Sequence, residues 1–327
     1  MRPTLLLRII LFYLAWRARK KGANEASSDE VLPTIPLSSP SAFILKQIRR
    51  SMGRPSFPQK LSSLRIRKWI TIKIPTGDGV LREARLYRPR GQVSGVVLFL
   101  HGGGFVHCDL VSHHGICCRL AAASKAMVVS LDYRLAPEYR FPLGLNDAKG
   151  ALSWLMKVAP HIPIAVAGDS AGGNLAAVLA QWNKREKHPQ TIKGQLLYYP
   201  ALSGPISPLS RERYANGYML TKELLYWYCG QTLNSYDELF DPSFSPVFAD
   251  DFESLPPAMI VTAGFDPLRG EGDLYTQILR QAGVKVRHRN FPRMIHGFLN
   301  GYALLRDGRR ALREGGEFLK ECFSGHG

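Results

Sequence analysis

Short, wholly apolar runs recur between residues 93 and 298, and they constrain the fold of this chain more than any other feature. Such a run suits a β-strand that is buried on both faces of a parallel sheet, because that strand has no solvent-facing side. Helix-like stretches separate the runs, and this alternation predicts a doubly wound α/β sheet. The predicted strands are residues 96–100, 127–131, 164–167, 196–199, 259–263 and a more polar run at 284–289, and the predicted helices are residues 115–124, 144–158, 171–187, 272–282 and 303–321.

Two regions depart from this alternation. Residues 70–74 and 81–88, on either side of a Thr-Gly-Asp-Gly turn, predict an antiparallel hairpin ahead of the sheet. Residues 202–248 are rich in Tyr, Trp and Phe and predict an inserted lid, or cap. We therefore expect a catalytic domain over residues 61–327 with a cap insertion at about 202–248, preceded by a basic segment over residues 1–60.

The positive charge lies mainly in that first segment. Residues 1–90 hold 19 Lys and Arg against 5 Asp and Glu, whereas the whole 327-residue chain holds 43 against 26. A basic surface suits nucleic acid, anionic lipid or acidic partners. No helix-turn-helix, zinc-finger or RNP-type motif accompanies the charge, so we expect no nucleic-acid binding.

Residues 4–16 are strongly apolar but are interrupted by Arg8 and followed by four basic residues. The run is shorter than the ~20 residues of a membrane-spanning helix, and it lacks the cleavage site of a secretory signal. Two interpretations stay open: a helix that covers part of the core or of the active-site mouth, and an interfacial helix on anionic lipid. The five cysteines are scattered and odd in number, which favours a reduced, cytoplasmic protein, with or without peripheral membrane contact.

Residues 168–172 read Gly-Asp-Ser-Ala-Gly between a predicted strand and a predicted helix. This G-x-S-x-G pattern needs glycines because the chain turns sharply to expose the serine. It predicts Ser170 as a nucleophile. Residues 101–104 read His-Gly-Gly-Gly at the end of another buried strand, and such a loop offers unhindered backbone N–H groups to an oxyanion.

A nucleophilic serine requires a base and an orienting acid, in the chain order Ser, acid, His. Asp266 and His296 each follow a predicted strand, where a parallel sheet presents functional side chains. We predict these two as the acid and the base. Less well placed are the competing acids and histidines, Glu271, Asp273, His188, His288 and His326.

Three further groups of residues carry weaker signals. His107, Cys108, Asp109, His113 and His114 crowd one loop but lack the spacing of a metal motif, so we expect a polar loop at the edge of the cleft and no metal site. Cys117 and Cys118 are expected to face the core. The aromatic run at 226–228 either lines an acyl pocket or forms the core of the cap.

Five motifs together resemble the hormone-sensitive-lipase-like (family IV) branch of the α/β-hydrolases. They are His-Gly-Gly-Gly-Phe at 101–105, Asp-Tyr-Arg-Leu-Ala-Pro-Glu at 132–138 with Phe-Pro at 141–142, Gly-Asp-Ser-Ala-Gly-Gly at 168–173, Gly-Phe-Asp-Pro-Leu at 264–268 and His-Gly-Phe at 296–298. The resemblance implies a mostly parallel eight-stranded sheet with helices on both faces and a helical cap built from the N-terminus and the 202–248 insertion.

The resemblance also implies a carboxylic ester hydrolase with no cofactor. Ser170 would be the nucleophile, His296 the base and Asp266 the orienting acid. The oxyanion hole would consist of the backbone N–H groups of Gly103, Gly104 and Ala171. Residues 132–138 would support the site.

One position departs from the family pattern, which reads Asp-Pro-Leu-Arg-Asp-Glu-Gly where this chain has Gly270 in place of the second Asp. The change puts the hydrogen bonding around Asp266 in question.

The expected function is a serine carboxylesterase on small to medium acyl esters. An amidase or deacetylase, and a membrane-associated lipase, would use the same three residues. A non-catalytic receptor of this fold is disfavoured because His296 is present. The cap shows no motif from which substrate-binding residues could be predicted. A homodimer is left open.

Overall fold

The computed structural model describes residues 45–47, 49–50, 61–187, 192–206 and 208–325. Within these ranges eight strands form one sheet in the order β1-β2-β4-β3-β5-β6-β7-β8. The strands are β1 Lys68–Pro75, β2 Leu81–Arg88, β3 Val96–Leu100, β4 Met127–Leu131, β5 Ile164–Asp169, β6 Gln195–Tyr198, β7 Ala258–Phe265 and β8 Val286–Ile295.

Residues 45–47 and 49–50 are helical. From residue 61 onward the helices in the described ranges are α1 His114–Ser124, α2 Leu143–Val158, α3 Ala171–Arg185, α4 Leu209–Arg213, α5 Lys222–Thr232, α6 Arg269–Gln281 and α7 Arg306–Phe323. Short 3₁₀ turns lie at Leu61–Arg65, Asp237–Phe240, Pro246–Phe248 and Phe298–Gly301. None of the helices in the described part of the chain is long and apolar enough to cross a membrane.

The sheet confirms the predicted α/β class. Strands β3 to β8 run parallel, and the β1–β2 hairpin joins them antiparallel through β2 and β4. Every residue of β3, β5, β6 and β7 is buried, as the wholly apolar runs predict.

Two hydrophobic cores lie on the two faces of this sheet. Alternate residues of β3 divide between them: Val97 and Phe99 belong to the core under α1 and α7, and Leu98 and Leu100 to the core under α2, α3 and α6. The predicted placement of Cys117 and Cys118 is confirmed, because both are fully buried in the first core.

The last strand differs from its prediction over residues 284–289, because β8 continues to Ile295. Half of the residues of β8 are exposed, as expected of an edge strand. The apolar pattern that marks the inner strands is therefore weak here. The extension brings the end of β8 directly to His296.

The chain between β6 and β7 contains α4, α5 and two of the 3₁₀ turns, and no strand within its described residues. This stretch includes the predicted lid. The interpretations of residues 4–21 fall outside the described residues.

Candidate active site

Ser170 lies at a sharp turn between β5, which ends at Asp169, and α3, which begins at Ala171. Its φ of 54° and ψ of −119° are rarely adopted by a residue with a side chain, and such strain concentrates at functional sites. The turn depends on close approach of the backbone: a Cβ added at Gly172 would collide with the carbonyl oxygen of Leu100 in β3. The predicted strand–turn–helix context of the serine is therefore present.

His296 and Asp266 follow β8 and β7 at the same edge of the sheet. His296 Nε2 lies 2.9 Å from Ser170 Oγ, and His296 Nδ1 lies 2.8 Å from Asp266 Oδ2. Asp266 is fully buried and its Oδ1 accepts a hydrogen bond of 2.8 Å from the amide of Leu268. A base within hydrogen-bond reach of a serine, and oriented by a buried carboxylate, is the geometry that nucleophilic catalysis needs.

The ring of Tyr199 packs edge-on against His296, with 4.8 Å between the ring centroids. Tyr199 follows β6 and is almost completely buried. No motif in the sequence points to this residue.

The glycine loop after β3 folds back on itself. The amides of Val106 and His107 both donate to the carbonyl of Gly103, at 3.1 Å each. Gly103 has a φ of 120°, and a Cβ there would collide with the carbonyl of His107. Gly103, Gly104 and Ala171 line the same pocket as Ser170 and His296, so the structure brings the six predicted site residues together.

Asp169 ties this loop to the serine turn. Its Oδ1 accepts a hydrogen bond of 2.9 Å from the amide of Gly102 and lies 3.1 Å from His113 Nε2. Burial raises the pKa of Asp169, but the charge and hydrogen bond of His113 and the Gly102 amide outweigh burial and lower that pKa below its ordinary value. The carboxylate is therefore held ionised between the two loops.

The cleft in front of Ser170 is a pocket of about 330 Å³. Helix α5 forms part of its wall, and the ring of Tyr228 stands where a side chain on Gly104 would be. Each of the two interpretations of the aromatic run at 226–228 fits some of its residues. Tyr226 and Tyr228 line the pocket, whereas Trp227 packs against Leu45, Val106 and Ala136.

The three histidines of the loop at 107–114 each contact a different residue. His107 lies 2.6 Å from the hydroxyl of Tyr228, His113 contacts Asp169, and His114 lies 2.7 Å from Ser63 Oγ. Within the described ranges no group of three or more His, Cys, Asp or Glu side chains could hold a metal ion.

A buried ion pair that the sequence did not reveal joins α4 to α6. Arg211 hydrogen-bonds Glu271, whose Oε2 also accepts from the amides of Leu202 at 2.7 Å and Ser203 at 2.8 Å. Burial raises the pKa of Glu271, and the Arg211 guanidinium and the two amides oppose that shift. Glu271 closely follows the motif that contains Asp266, but its partner lies 60 positions away, so no local pattern predicts the pair.

The structure shows what replaces the family's second Asp at Gly270. Its amide donates a hydrogen bond of 2.9 Å to Ser210 Oγ, and a Cβ there would collide with Pro208. The carboxylate of Asp266 is hydrogen-bonded by Leu268 instead. The glycine thus lets the segment before α4 pack closely on the start of α6.

A family model described as alpha/beta hydrolase fold matches residues 97–300. The chain is 39% identical over 244 residues to a carboxylic ester hydrolase of Mycobacterium tuberculosis, which covers 71% of this chain and 65% of that protein. It is 32% identical over 299 residues to an ethyl acetate hydrolase of Pseudomonas putida, which covers 88% of this chain and 91% of that one. A solved esterase of Pyrobaculum calidifontis superposes with a TM-score of 0.83 at 35% identity, over 98% of both chains.

Proposed function

Because the chain belongs to the alpha/beta hydrolase family, in its hormone-sensitive-lipase-like branch, we propose that it is a serine carboxylesterase acting on small to medium acyl esters. The observation that carries this proposal is the hydrogen-bonded series Ser170–His296–Asp266 at the floor of a pocket. The named activities of the relatives and of the Pyrobaculum esterase support the same reaction class.

In the proposed mechanism, Ser170 Oγ attacks the ester carbonyl while His296 Nε2 takes its proton. Asp266 holds the imidazole through Nδ1 and stabilises the imidazolium. The backbone N–H groups of Gly103, Gly104 and Ala171 bind the oxyanion, and loss of one such donor typically costs about 10²–10³ in rate. His296 then protonates the leaving alcohol, and water hydrolyses the acyl-enzyme by the same steps.

The size of the pocket supports small to medium acyl groups. Its volume of about 330 Å³ lies near the lower end of the ~300–1,000 Å³ of ligand pockets. Residues Leu224, Leu225 and Tyr228 of α5 add an apolar wall. We propose that the 202–248 stretch acts as the cap of this pocket, because α5 and Arg211 of α4 line it.

The test is hydrolysis of p-nitrophenyl esters from acetyl to long acyl chains, with Ser170→Ala in parallel. We expect activity that is highest on the shorter chains and absent from the variant. Preference for long chains would favour a lipase. Turnover of acyl amides but not of esters would favour an amidase or deacetylase. No turnover above the Ser170→Ala protein on either class would contradict the proposal.

Two predictions about partners go with this function. We propose that the basic segment at residues 1–21 contacts anionic lipid, which predicts weaker vesicle binding when it is removed. A homodimer is a second prediction, and light scattering of the purified chain tests it.

A further inference from the structure

A second concave surface lies on the side of the sheet covered by α1 and α7. It is a groove of about 1,100 Å³ that shares no described lining residue with the pocket at Ser170. We call it the arginine groove, because its described lining holds one acid, Asp307, and seven arginines: Arg65, Arg119, Arg293, Arg306, Arg309, Arg310 and Arg313.

Most of this charge has no acidic partner among the described residues. Arg310 pairs with Glu314 at 2.7 Å and Arg313 with Glu317 at 2.9 Å. The other five arginines form no ion pair with any residue that the structure describes. Uncompensated like charges repel one another, and a bound anion relieves that repulsion.

Arg119 lies among these charges. Its guanidinium lies over the ring of Tyr302, at 4.5 Å from the ring centre, and its Nε is buried without a hydrogen-bond partner in the described chain. Burial lowers the pKa of Arg119, and the neighbouring charges of Arg65 and Arg309 lower it further. The groove thus holds positive charge at a cost that an anionic ligand would offset.

Exposed leucines accompany the arginines. Leu304 lines the groove with 64% of its surface exposed, and Leu64, directly before Arg65, is 68% exposed. Leu61, at the other end of the same 3₁₀ turn, is 49% exposed. A free phosphate would use the arginines alone, whereas a membrane interface uses both basic and apolar side chains.

We propose that the arginine groove docks this protein on the surface of an anionic phospholipid membrane. The guanidinium groups would contact lipid phosphates, and Leu61, Leu64 and Leu304 would enter the boundary between headgroups and acyl chains. This surface is separate from residues 1–21 in sequence. The proposal does not depend on the catalytic activity, so either can fail alone.

The test is co-sedimentation of the full chain with vesicles of phosphatidylcholine alone and of phosphatidylcholine mixed with phosphatidylglycerol. We expect binding to the mixed vesicles only. In the variant Arg65→Gln/Arg306→Gln we expect about thirty-fold weaker partitioning, since each basic residue at an anionic surface contributes about fivefold. Both arginines are exposed and unpaired with described acids, so the variant should keep its hydrolysis of short esters.

The matched control is Lys157→Gln/Arg280→Gln, which removes the same charge from the ends of α2 and α6 on the opposite face of the sheet. We expect it to bind like the unchanged chain. A second pair tests the apolar part. Leu304→Gln should weaken partitioning about tenfold, whereas Leu209→Gln, at a leucine of α4 that is even more exposed (89% against 64%), should not.

Three results would overturn the proposal. The first is equal loss of binding in the groove variant and in its charge-matched control. The second is equal binding to neutral and anionic vesicles, or to neither. The third is a rise in the protein's unfolding temperature on addition of inorganic phosphate that is lost with Arg306→Gln, combined with no binding to vesicles. That result would identify a soluble phosphate ligand.

Discussion

The hydroxyl of Tyr228 lies 2.6 Å from His107 Nε2, and this contact joins helix α5 to the loop that carries Gly103 and Gly104. Burial, together with the charges of His113 and Arg49, lowers the pKa of His107 to about 4, so the imidazole is neutral at neutral pH and Nε2 can accept a hydrogen bond from the tyrosine hydroxyl. The cap and the proposed oxyanion loop are therefore coupled by one hydrogen bond between residues 121 positions apart.

Replacement of Tyr228 by Phe should separate the loop from α5. The lost hydrogen bond leaves His107 Nε2 buried without a partner, which costs about 1–3 kcal/mol. We expect kcat on short esters to fall several-fold and the unfolding midpoint to drop. The control is Tyr226→Phe, which removes a hydroxyl from the same helix and the same pocket. Equal effects of the two variants would show that the contact with His107 has no special role.

Acid should destabilise the folded chain through His107. Its pKa is about 4 in the folded protein and about 6.5 in the unfolded chain, so the unfolded state binds more protons between these values. Stability is therefore highest above pH 6.5 and falls as the pH drops toward 4, by up to about 1.4 kcal/mol per pH unit for one histidine. His107→Gln should show a shallower fall in urea unfolding over this window. An unchanged slope would contradict the assignment.

The Arg211–Glu271 pair should be essential for stability. Glu271→Gln leaves a buried guanidinium without its counter-charge, and we expect a loss of about 3–5 kcal/mol in the free energy of unfolding. The comparison is the partly exposed pair Arg269–Asp273 on the same helix, in which Asp273 Oδ1 also lies 3.3 Å from His288 Nε2. Asp273→Asn should cost less than about 1 kcal/mol. Similar losses in the two variants would argue that the buried pair does not anchor the cap stretch.

Gly172→Ala should disrupt the serine turn. The added Cβ meets the backbone of β3, which cannot move without breaking the sheet, so we expect a loss of at least about 3 kcal/mol and no ester hydrolysis. Gly77→Ala adds the same methyl group where the nearest atom is at ordinary contact distance, 3.9 Å from Asn146 O. That protein should unfold and react like the unchanged chain.

Asp266→Asn tests the proposed role of the orienting acid. An amide can impose the wrong tautomer on His296, and we expect kcat to fall about ten-thousand-fold with little change in KM. The measurement is steady-state hydrolysis of the preferred ester at neutral pH. A fall of less than tenfold would show that another group orients the imidazole.

The sequence by itself determined the sheet and the order of the proposed catalytic groups. The apolar runs predict the inner strands because a strand buried on both faces has no polar positions, and the glycine motifs predict tight turns because only glycine fits them. Both signals are local in the chain. The edge strand β8 was predicted too short for the same reason, since its exposed side chains obscure the pattern.

Only the tertiary structure decided the contacts between distant segments. Arg211 meets Glu271 across 60 positions and His107 meets Tyr228 across 121. The arginine groove gathers side chains from the 3₁₀ turn before β1, from α1, from β8 and from α7. No local pattern encodes these pairings, because they depend on how the packed sheet places its helices and on which charges burial then brings together.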